Sequence, residues 1–287
     1  MKIAIYGSRR QQPYIELIEQ FLTAMTAAGH KAVMHAKLFN HLQTLLPPQA
    51  LQCVSRVVES TRFEADFAIS LGGDGSFLRT AAWVADKQIP IIGVNTGHLG
   101  FLASLSVEDL PSLPALMADE SNFDIESRSL LQIDCPGLRG WPYALNEATI
   151  TKSESCSIIS IQAAINGVDL ADYRADGLII ATPTGSTAYN LSVGGPIVEP
   201  TAPVWILSPI AAHSLAVRPL VINDSSVVEA IVELRSPTFR FTVDGKSLAL
   251  PSGSRLRVSR APFPLNVVTL PGHTFTDTLR TKLGLGC

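Results

Sequence analysis

The chain has 287 residues, a formal net charge of −3 and a pI near 6.1, and 46% of its residues are hydrophobic. This length allows two modest domains, and the apolar composition indicates a folded protein rather than a disordered one. The small negative charge and the scattered basic residues argue against a nucleic-acid partner, and no apolar run approaches the ~20 residues of a membrane-spanning helix. We therefore expect neither nucleic acid nor a membrane as a partner.

The cysteines and the start of the sequence indicate the cellular compartment. Four cysteines lie far apart, without the spacing of a zinc site or a redox motif, at Cys53, Cys135, Cys156 and Cys287. Met1 is followed by an apolar run with neither a basic leader nor a cleavage site. We expect reduced thiols, no cysteine metal site and a cytoplasmic protein.

The first third of the sequence alternates strand and helix patterns. Lys2–Gly7 is typical of a strand, and an amphipathic helix is predicted between Pro13 and Gly29. Further strands are predicted at 30–36, 66–71 and 89–94, and helices at 77–85 and 107–118. The repeated strand–helix units predict a Rossmann-like α/β domain with a parallel sheet over residues 1–122.

From about residue 122 the pattern changes to short β-type runs separated by turn residues. The dipeptides Asn166-Gly167 and Asp244-Gly245 each predict a tight hairpin, because these residue types tolerate positive φ. Other strands are predicted at 178–181, 204–207, 219–222, 227–233, 255–259 and 265–270. These patterns predict an all-β, sandwich-like domain over residues 123–271, and the segment 272–287, with a helix at 276–283, is expected to join the first domain.

The first candidate site is the glycine turn Gly72-Gly73-Asp74-Gly75, which follows a predicted strand and precedes a predicted helix. Backbone N–H groups and the helix dipole favour a phosphate at such a position, and the glycines let the backbone approach a ligand closely. Asp74 would stand at the carboxyl end of the strand, where open α/β sheets bind ligands. The alternative is an ordinary turn with a capping aspartate.

A second polar loop, residues 95–101, follows the next predicted strand and should therefore lie at the same edge of the sheet. Its amide, its hydroxyl and the ring of Phe101 could surround a nucleoside. The alternative is a glycine-containing loop with a buried Phe101, and His98 fits a loop histidine better than a base.

Two further stretches carry polar groups in the β-type region. Asn146 and Glu147 stand side by side among apolar residues, where an amide and a carboxylate suit a vicinal diol such as a ribose. The alternative is a solvated strand edge. The block from Asp176 to Pro196 joins an apolar strand to a loop dense in Thr, Gly and Ser, which suits a phosphate or a polyhydroxyl ligand. A flexible linker would not explain the preceding strand or Tyr189.

Together, the glycine turn, the 95–101 loop, Asn146-Glu147 and the 176–196 block resemble the NAD kinase family in order and spacing. The resemblance spans nearly the whole chain. A Gly-Gly-Asp-Gly turn alone is shared with lipid kinases and phosphofructokinases, whereas the Thr-Pro-Thr-Gly-Ser-Thr-Ala-Tyr block with Asn-Glu upstream is more specific. The resemblance implies an N-terminal α/β domain and a C-terminal β-sandwich domain, as the patterns predict independently.

The resemblance also implies roles for individual residues. Asp74 resembles the catalytic carboxylate that orients or deprotonates the ribose 2′-hydroxyl, within a phosphate loop formed by Gly72, Gly73 and Gly75. Asn146 and Glu147 would bind the ribose on the nicotinamide side. The other NAD-binding candidates are Arg79, Phe101, Arg174, Asp176, Thr184, Thr187, Ala188, Tyr189, Asn190, Leu191, Ser192, Ala211 and Lys246.

Among these candidates, Asp176 would contact the nicotinamide end, whereas Phe101 and the run 187–192 would contact the adenosine portion. Arg79 would meet a phosphate, with a surface salt bridge as the alternative. Lys246 departs from the family, in which an uncharged polar residue often follows the Asp-Gly pair, so its contact stays open.

The activity that this resemblance implies is transfer of the terminal phosphoryl group of ATP to the 2′-hydroxyl of the adenosine ribose of NAD, which gives NADP. A divalent ion, Mg²⁺, is expected because no arginine or lysine of the sequence is an obvious clamp for the triphosphate. NAD and ATP are the expected small-molecule partners, and a homodimer or homotetramer is the expected assembly. ATP or polyphosphate as donor, and NAD or NADH as acceptor, stay open.

Three other interpretations compete with this one. A lipid or sugar kinase would share the glycine turn, a non-catalytic sensor would bind NAD without forming NADP, and an atypical oxidoreductase would change the absorbance of nicotinamide. The sequence contains neither the Gly-x-Gly-x-x-Gly fingerprint of dehydrogenases nor a Gly-x-x-x-x-Gly-Lys-Ser/Thr phosphate loop. Common dehydrogenase and P-loop interpretations are therefore weakened.

Overall fold

The computed structural model describes residues 1–8, 11–97, 100–153, 158–214, 216–272 and 274–284, without the side chain of Glu120. The chain forms two compact units, Met1–Ser127 with Leu265–Cys287, and Arg128–Pro264. The first contains a largely parallel sheet with helices and the second contains antiparallel sheets, so the predicted fold class is confirmed.

The helices and strands are numbered in chain order. The helices are α1 (Ile15–Ala27), α2 (Ala36–Leu42), α3 (Asp74–Val84), α4 (Leu113–Leu116), α5 (Tyr189–Ser192) and α6 (Phe275–Leu283). The first ten strands are β1 (Lys2–Gly7), β2 (Lys31–His35), β3 (Val54–Val58), β4 (Phe67–Leu71), β5 (Ile91–Asn95), β6 (Leu105–Ser106), β7 (Asp124–Arg128), β8 (Leu131–Asp134), β9 (Tyr143–Ala144) and β10 (Glu147–Thr151). The last ten strands are β11 (Ile159–Ile165), β12 (Val168–Ala175), β13 (Gly177–Ala181), β14 (Val204–Ile210), β15 (Leu220–Asn223), β16 (Val228–Glu233), β17 (Thr238–Val243), β18 (Lys246–Pro251), β19 (Arg255–Arg260) and β20 (Leu265–Thr269).

The sheet of the first unit has the strand order β3-β2-β1-β4-β5-β20-β7, and β6 also pairs with β5. Strands β1 to β5 run parallel, with β1 between β2 and β4. Starting from β1, strands β2 and β3 are added on one side of the sheet, and strands from β4 onward are added on the other side. This reversal between β1 and β4 is the topological switch point, at which open α/β sheets form a ligand crevice beyond the carboxyl ends of the strands.

The helix after β4 begins earlier than predicted. We expected a helix at 77–85, but α3 starts at Asp74 because the carbonyl of Gly73 accepts the N–H groups of Ser76 and Phe77 at 2.8 and 3.2 Å. Asp74 is thus the first residue of a helix rather than a loop residue. Phe77 and neighbouring apolar side chains of α3 are buried, which fixes the helix against the sheet.

The second unit contains two six-stranded sheets with the orders β15-β14-β13-β10-β17-β18 and β12-β11-β16-β19-β8-β9. Inward-facing side chains of both sheets, such as Ile150, Phe241, Ile161 and Val232, form one apolar core. Both predicted hairpins are present, with β11–β12 and β17–β18 paired across their Asn-Gly and Asp-Gly turns. Asp244 adopts a φ of 43°, which its short polar side chain tolerates.

Some elements differ from the predictions. The strand expected at 265–270 in the sandwich is β20, which pairs in parallel with β5 through Val267 and Ile91. The compact units therefore change at residues 127/128 and 264/265, not at the predicted 122/123 and 271/272. Strand β3 and helix α2 were not predicted, and the segment 107–118 is divided between a 3₁₀ helix that contains Pro111 and α4.

Two sequence expectations concern cysteines and membranes. Cys53 and Cys135 are free thiols, and Cys156 and Cys287 lie outside the described residues. Within the described part of the chain, none of the helices has both the length and the apolar character needed to span a bilayer.

Candidate active site

The glycine turn after β4 is a tight connection between strand and helix. Gly72 has a φ of +140°, a conformation that side chains rarely adopt, and its N–H donates to the carbonyl of Val94 on β5 at 2.9 Å. A Cβ at Gly72 would overlap the side chain of Ser76 in the first turn of α3. Position 72 therefore requires glycine, both for its backbone conformation and because a side chain has no space there.

Asp74 is fixed by the 95–101 loop. Its Oδ2 accepts the N–H of Phe101 at 2.9 Å, and its Oδ1 accepts the N–H of Leu102 at 3.0 Å. A Cβ at Gly100 would overlap this carboxylate, so the loop backbone passes directly against it. The prediction that the two loops share one edge of the sheet is thus confirmed for Asp74 and Phe101, whereas His98 lies outside the described residues.

The same turn presents groups that suit an anion. Gly73 precedes α3 without a side-chain cap, so the first N–H groups of this 11-residue helix have no side-chain acceptor from that position. Arg79, one turn further on, is exposed and donates to the Oγ of Ser76 at 3.2 Å. Its Nη1 lies 3.8 Å from where a Cβ of Gly75 would stand. The turn that carries Asp74 therefore has a helix N-terminus and a cation beside Gly75.

In the second unit, Asn146 and Glu147 are held by a carboxylate that the sequence patterns did not single out. Asp244, in the β17–β18 turn, accepts the N–H of Leu145 at 2.7 Å on Oδ2 and those of Asn146 and Glu147 at 2.9 and 3.1 Å on Oδ1. Burial raises the pKa of Asp244 to about 6, against the opposing effects of these three N–H donors and of the charge of Lys246. Asp244 thus fixes the backbone of the predicted ribose-binding pair.

Glu147 has one carboxylate oxygen without a partner. Its Oε2 is buried and accepts no hydrogen bond, although the backbone N–H of Tyr189 donates to the carboxyl group. Burial, followed by the neighbouring charge of Asp244, raises the pKa of Glu147 to about 7. A buried acceptor without a donor is costly in a folded protein and indicates a ligand position.

The loop of the 176–196 block, residues 182–196, is called the hydroxyl-rich block below. It packs directly on the Asn146–Glu147 pair. Gly185 approaches so closely that a Cβ would overlap the carbonyl of Asn146, and the N–H of Thr182 donates to that carbonyl at 2.9 Å. Thr184 is buried, whereas Tyr189 is 42% exposed. Of the other candidates in the block, the following are half-buried or exposed: Thr187, Ala188, Leu191 and Ser192. The structure therefore brings this block and the Asn146–Glu147 pair together within one unit.

Asn190 differs from its neighbours because its side chain is fully buried. Its Nδ2 donates to the carbonyls of Ser186 and Pro196, both at 3.0 Å, and its Oδ1 accepts from the Oγ of Ser208 at 2.6 Å. A Cβ at Gly195 would overlap the Asn190 side chain. These bonds use both donors of the amide, so the side chain ties the loop to β14.

The remaining candidates fall into two places. Glu147 pairs with Ala181 at one end of β13, whereas Asp176, Arg174 and Ala211 lie at the opposite end of that strand, so the structure does not bring these three residues to the Asn146–Glu147 pair. Asp176 pairs with Lys152 at 2.6 Å, and both side chains are about one-third exposed, at 33% and 30%. Ala211 follows the end of β14 with a φ of 45°, which is strained for alanine. Arg174 on β12 and Lys246 at the start of β18 are exposed.

Lys282 is a second residue, after Asp244, that the sequence patterns did not single out. Lys282 near the end of α6 places its Nζ 5.5 Å from the centroid of the Phe101 ring, within the unit that contains Asp74. A single lysine in a C-terminal helix carries no signal for such a position. For Asp244, the Asp-Gly dipeptide indicates a tight turn, and nothing in the local sequence indicates its contacts with residues 145–147.

Phosphoryl transfer requires positioning and charge stabilisation from a protein more than covalent chemistry. A carboxylate fixed beside a helix N-terminus, at the switch point of a parallel sheet, meets that requirement. The fold and this site define a phosphotransferase that acts on a hydroxyl acceptor.

Comparison with known proteins identifies the family. The model of the ATP-NAD kinase N-terminal domain matches residues 14–120, and that of the ATP-NAD kinase C-terminal domain matches residues 145–270. An NAD kinase of Bacteroides fragilis is 48% identical over 230 residues, which cover 79% of each chain. An NAD kinase of Porphyromonas gingivalis is 40% identical over 285 residues, which cover 99% of this chain and 98% of the relative. The chain belongs to the NAD kinase family.

Two solved structures share the fold. The crystal structure of yeast NADH kinase complexed with NADH has a TM-score of 0.86 at 22% identity and covers 100% of this chain and 88% of that one. The crystal structure of an NAD kinase from Archaeoglobus fulgidus in complex with ATP has a TM-score of 0.72 at 25% identity and covers 99% of this chain and 98% of that one. The family match rules against a lipid or sugar kinase and against an oxidoreductase.

Proposed function

We propose that this NAD kinase uses Asp74 to activate the 2′-hydroxyl of the adenosine ribose of NAD for attack on the γ-phosphorus of ATP. The 2′-oxygen forms the new O–P bond, and the bond between the γ-phosphorus and the β,γ-bridging oxygen breaks. ADP leaves with the electron pair of that bond, and the hydroxyl proton passes to Asp74 and then to solvent. The observation that carries this proposal is the fixed carboxylate of Asp74.

The fixation of Asp74 is what makes it suitable for this role. Two backbone N–H groups hold the carboxylate, so its remaining lone pairs keep a constant direction. The glycines Gly72, Gly73 and Gly75 leave the start of α3 open to the phosphate groups, with Arg79 as a nearby cation.

In the second unit, we assign Asn146 and Glu147 to the ribose on the nicotinamide side of NAD. The buried Oε2 of Glu147 has no donor within the chain, and a ribose hydroxyl would supply one. The raised pKa of the Glu147 carboxyl group is consistent with a site that is completed by a neutral, hydroxylated ligand rather than by a cation. Asp176 is assigned to the nicotinamide end from the family resemblance alone, because it lies beside Lys152 at the opposite end of β10 from Glu147.

The adenosine portion is assigned to Phe101 and to the exposed part of the hydroxyl-rich block. The assignment of Ala211 to a neighbouring wall rests on the family resemblance alone, because Ala211 lies beside Asp176 at the opposite end of β13. The ring of Phe101 and the exposed ring of Tyr189 offer apolar faces for stacking on a base. Thr184, Arg174 and Lys246 complete the assigned set. Within the block, Asn190 contributes by holding the loop, because its amide is already bonded inside the unit.

A divalent ion is expected to arrive with the substrate as MgATP. Among the described residues, no group of three or more His, Cys, Asp or Glu side chains could hold a metal ion. This composition suits Mg²⁺, which keeps several waters and is commonly bound by one or two carboxylates together with substrate phosphates. Asp74 is the carboxylate available at the glycine turn, and the ion would supply positive charge to the triphosphate.

The assembly and the cellular location complete the proposal. We infer a homodimer or homotetramer in the cytoplasm. Membership of the NAD kinase family supports these assignments. Size-exclusion chromatography with light scattering would measure the number of copies.

The substitution Asp74→Asn tests the catalytic assignment. The amide cannot accept a proton, and its Nδ2 cannot accept the N–H of Phe101 or Leu102, so kcat should fall by about 10³-fold while NAD still binds. Formation of NADP from NAD and MgATP gives the rate, and calorimetric titration with NAD gives the affinity. Asp86→Asn is the matched control, because Asp86 is an exposed acid of the same unit. Near-normal turnover in Asp74→Asn would remove Asp74 from the mechanism, and NAD binding without NADP formation by the unmodified chain would indicate a sensor.

A further inference from the structure

Lys282 lies in the last turn of α6, in the unit that also contains the glycine turn. Its Nζ lies 5.5 Å from the centroid of the Phe101 ring, close enough for a cation–π contact. The backbone N–H of Phe101 is bonded to the Asp74 carboxylate at 2.9 Å. The C-terminal helix therefore brings an ammonium group to the loop that holds the catalytic carboxylate.

Within the described part of the chain, the charge of Asp74 acts on this ammonium group, but no carboxylate forms a salt bridge with it. None of the ion pairs formed by described residues includes Lys282, and the oxygens of Asp74 accept backbone N–H groups instead. The residue is half-buried, and this burial lowers the pKa of Lys282 against the opposing charge of Asp74. A partly desolvated cation is unfavourable until an anion reaches it.

We propose that Lys282 binds the triphosphate of ATP and stabilises the negative charge on the β- and γ-phosphate oxygens during phosphoryl transfer. The proposal rests on the proposed function and supplies the phosphate-binding lysine that the sequence patterns did not reveal. A lysine is a compact charge with three donors on a flexible stem, so it can follow the phosphate oxygens while the γ-phosphoryl group moves. Lys282 keeps its proton throughout and exchanges no bond with the substrate.

The surroundings of the glycine turn agree with this role. The N–H groups at the start of α3 and the guanidinium of Arg79 belong to the turn and its helix, whereas Lys282 comes from α6 and lies over the ring of Phe101. Two cations from different elements would therefore contact the triphosphate, and the positive charge would offset the repulsion between Asp74 and the phosphates.

An ordinary structural role makes a different prediction. A lysine in the last turn of a helix stabilises the helix dipole wherever its side chain points. Arg280 occupies the same last turn and is exposed. If Lys282 served only the helix, Lys282→Met and Arg280→Met would have similar, small effects on stability and none on ATP.

The experiment compares Lys282→Met, Lys282→Arg and the control Arg280→Met in steady-state assays of NADP formation. We expect Lys282→Met to lower kcat/KM for MgATP by about 10²-fold while the KM for NAD changes by less than about twofold. Lys282→Arg should recover most of the loss, and Arg280→Met should match the unmodified chain. Titration with the magnesium complex of a non-hydrolysable ATP analogue should show the same order of affinities.

Two outcomes would overturn the proposal. One is unchanged kcat/KM for MgATP and unchanged analogue affinity in Lys282→Met. The other is a parallel loss for NAD and MgATP together with a lower melting temperature, which would indicate a structural role. If the unmodified chain formed no NADP, the proposed function would fail, but the analogue titration would still measure whether Lys282 contacts the triphosphate.

Discussion

Asp74 and Gly100 lie in such close contact that a methyl group on Gly100 would overlap the carboxylate of Asp74. The two residues come from different connections of the sheet, after β4 and after β5. The N–H groups of Phe101 and Leu102, which follow Gly100, bind the same carboxylate. The absence of a side chain at residue 100 therefore allows the loop to orient Asp74.

Gly100→Ala should consequently impair catalysis more than folding. The φ of Gly100 is not in the left-handed region, so an alanine costs little conformational energy and the effect is steric. The methyl group should displace the carboxylate from its two N–H donors and lower kcat by about 10²-fold. Rates of NADP formation and thermal unfolding, measured on the same samples, separate the two effects.

Gly97→Ala is the matched control for this prediction. Gly97 lies in the same loop, and a Cβ there would meet nothing within 4 Å. The Gly97→Ala variant should therefore have the same kcat as the unmodified chain. Equal rates for the two alanine variants would contradict the steric explanation.

Asp244→Asn should weaken NAD binding with a smaller effect on kcat. Asparagine also tolerates the positive φ of this position, so the substitution tests the loss of one acceptor oxygen without added backbone strain. The N–H of Leu145, or those of Asn146 and Glu147, would lose their acceptor, at a cost of about 1–3 kcal/mol in stability. We expect the KM for NAD to rise by about tenfold.

Asp169→Asn serves as the control for Asp244, because Asp169 is an exposed acid on β12 of the same unit. The Asp169→Asn variant should have the same KM for NAD and the same midpoint of unfolding in urea as the unmodified chain. If Asp244→Asn bound NAD with normal affinity, the three N–H bonds would not be needed to position Asn146 and Glu147, the proposed ribose-binding pair.

Much of the fold was predictable because its signals are local. The buried faces of α1 and the alternation of the strands appear in the sequence, and Asn166-Gly167 and Asp244-Gly245 specify their turns. The place of β20 was not predictable, because its pairing with β5 joins residues 267 and 91, and sequence patterns carry no information on such distant partners. The helix start at Asp74 was missed because glycines at 72, 73 and 75 hide the helical periodicity.

The same difference between local signals and distant contacts applies to the candidate site. Asp74 lies in a glycine turn and the Asn146–Glu147 pair lies in a strand pattern, so local sequence signals are enough to make these residues candidates. Asp244 and Lys282 reach their partners through tertiary contacts that span about 100 and about 180 residues, and no local pattern reveals such contacts. Asn190 lies inside a recognised motif, yet its hydrogen bonds within the unit became evident only from the structure.

The raised pKa of Glu147 predicts how stability depends on pH. Burial raises the pKa from 4.5 to about 7 in the folded chain, with the charge of Asp244 acting in the same direction, so the folded state binds the proton more tightly than the unfolded state. This contribution to stability is fully present below about pH 4.5 and is lost as the pH rises through 7. The difference in unfolding free energy between the unmodified chain and Glu147→Gln should therefore fall between pH 4.5 and 7.

Urea titrations at several pH values measure this difference. Asp244 titrates nearby with a pKa raised to about 6, and Lys246 opposes that shift, but both residues are present in either protein. Their contributions largely cancel in the comparison. A difference that did not vary with pH would show that Glu147 has no raised pKa in the folded chain.

Asn190→Ala should destabilise the second unit, because the buried amide joins the hydroxyl-rich block to β14. Removal of the side chain leaves the carbonyls of Ser186 and Pro196 and the hydroxyl of Ser208 without their partners, and it opens a space beside Gly195. Several unpaired polar groups and a small cavity together cost about 2–4 kcal/mol.

Ser192→Ala removes a side chain that is exposed in the same block, so its unfolding free energy should remain within about 0.5 kcal/mol of the unmodified value. Urea unfolding without ligand measures both variants, and titration with NAD reports separately on binding. Because the amide of Asn190 is already bonded within the unit, its loss should lower NAD affinity only through the displaced loop. Normal stability with weakened NAD binding in Asn190→Ala would instead show that the Asn190 side chain contacts the dinucleotide directly.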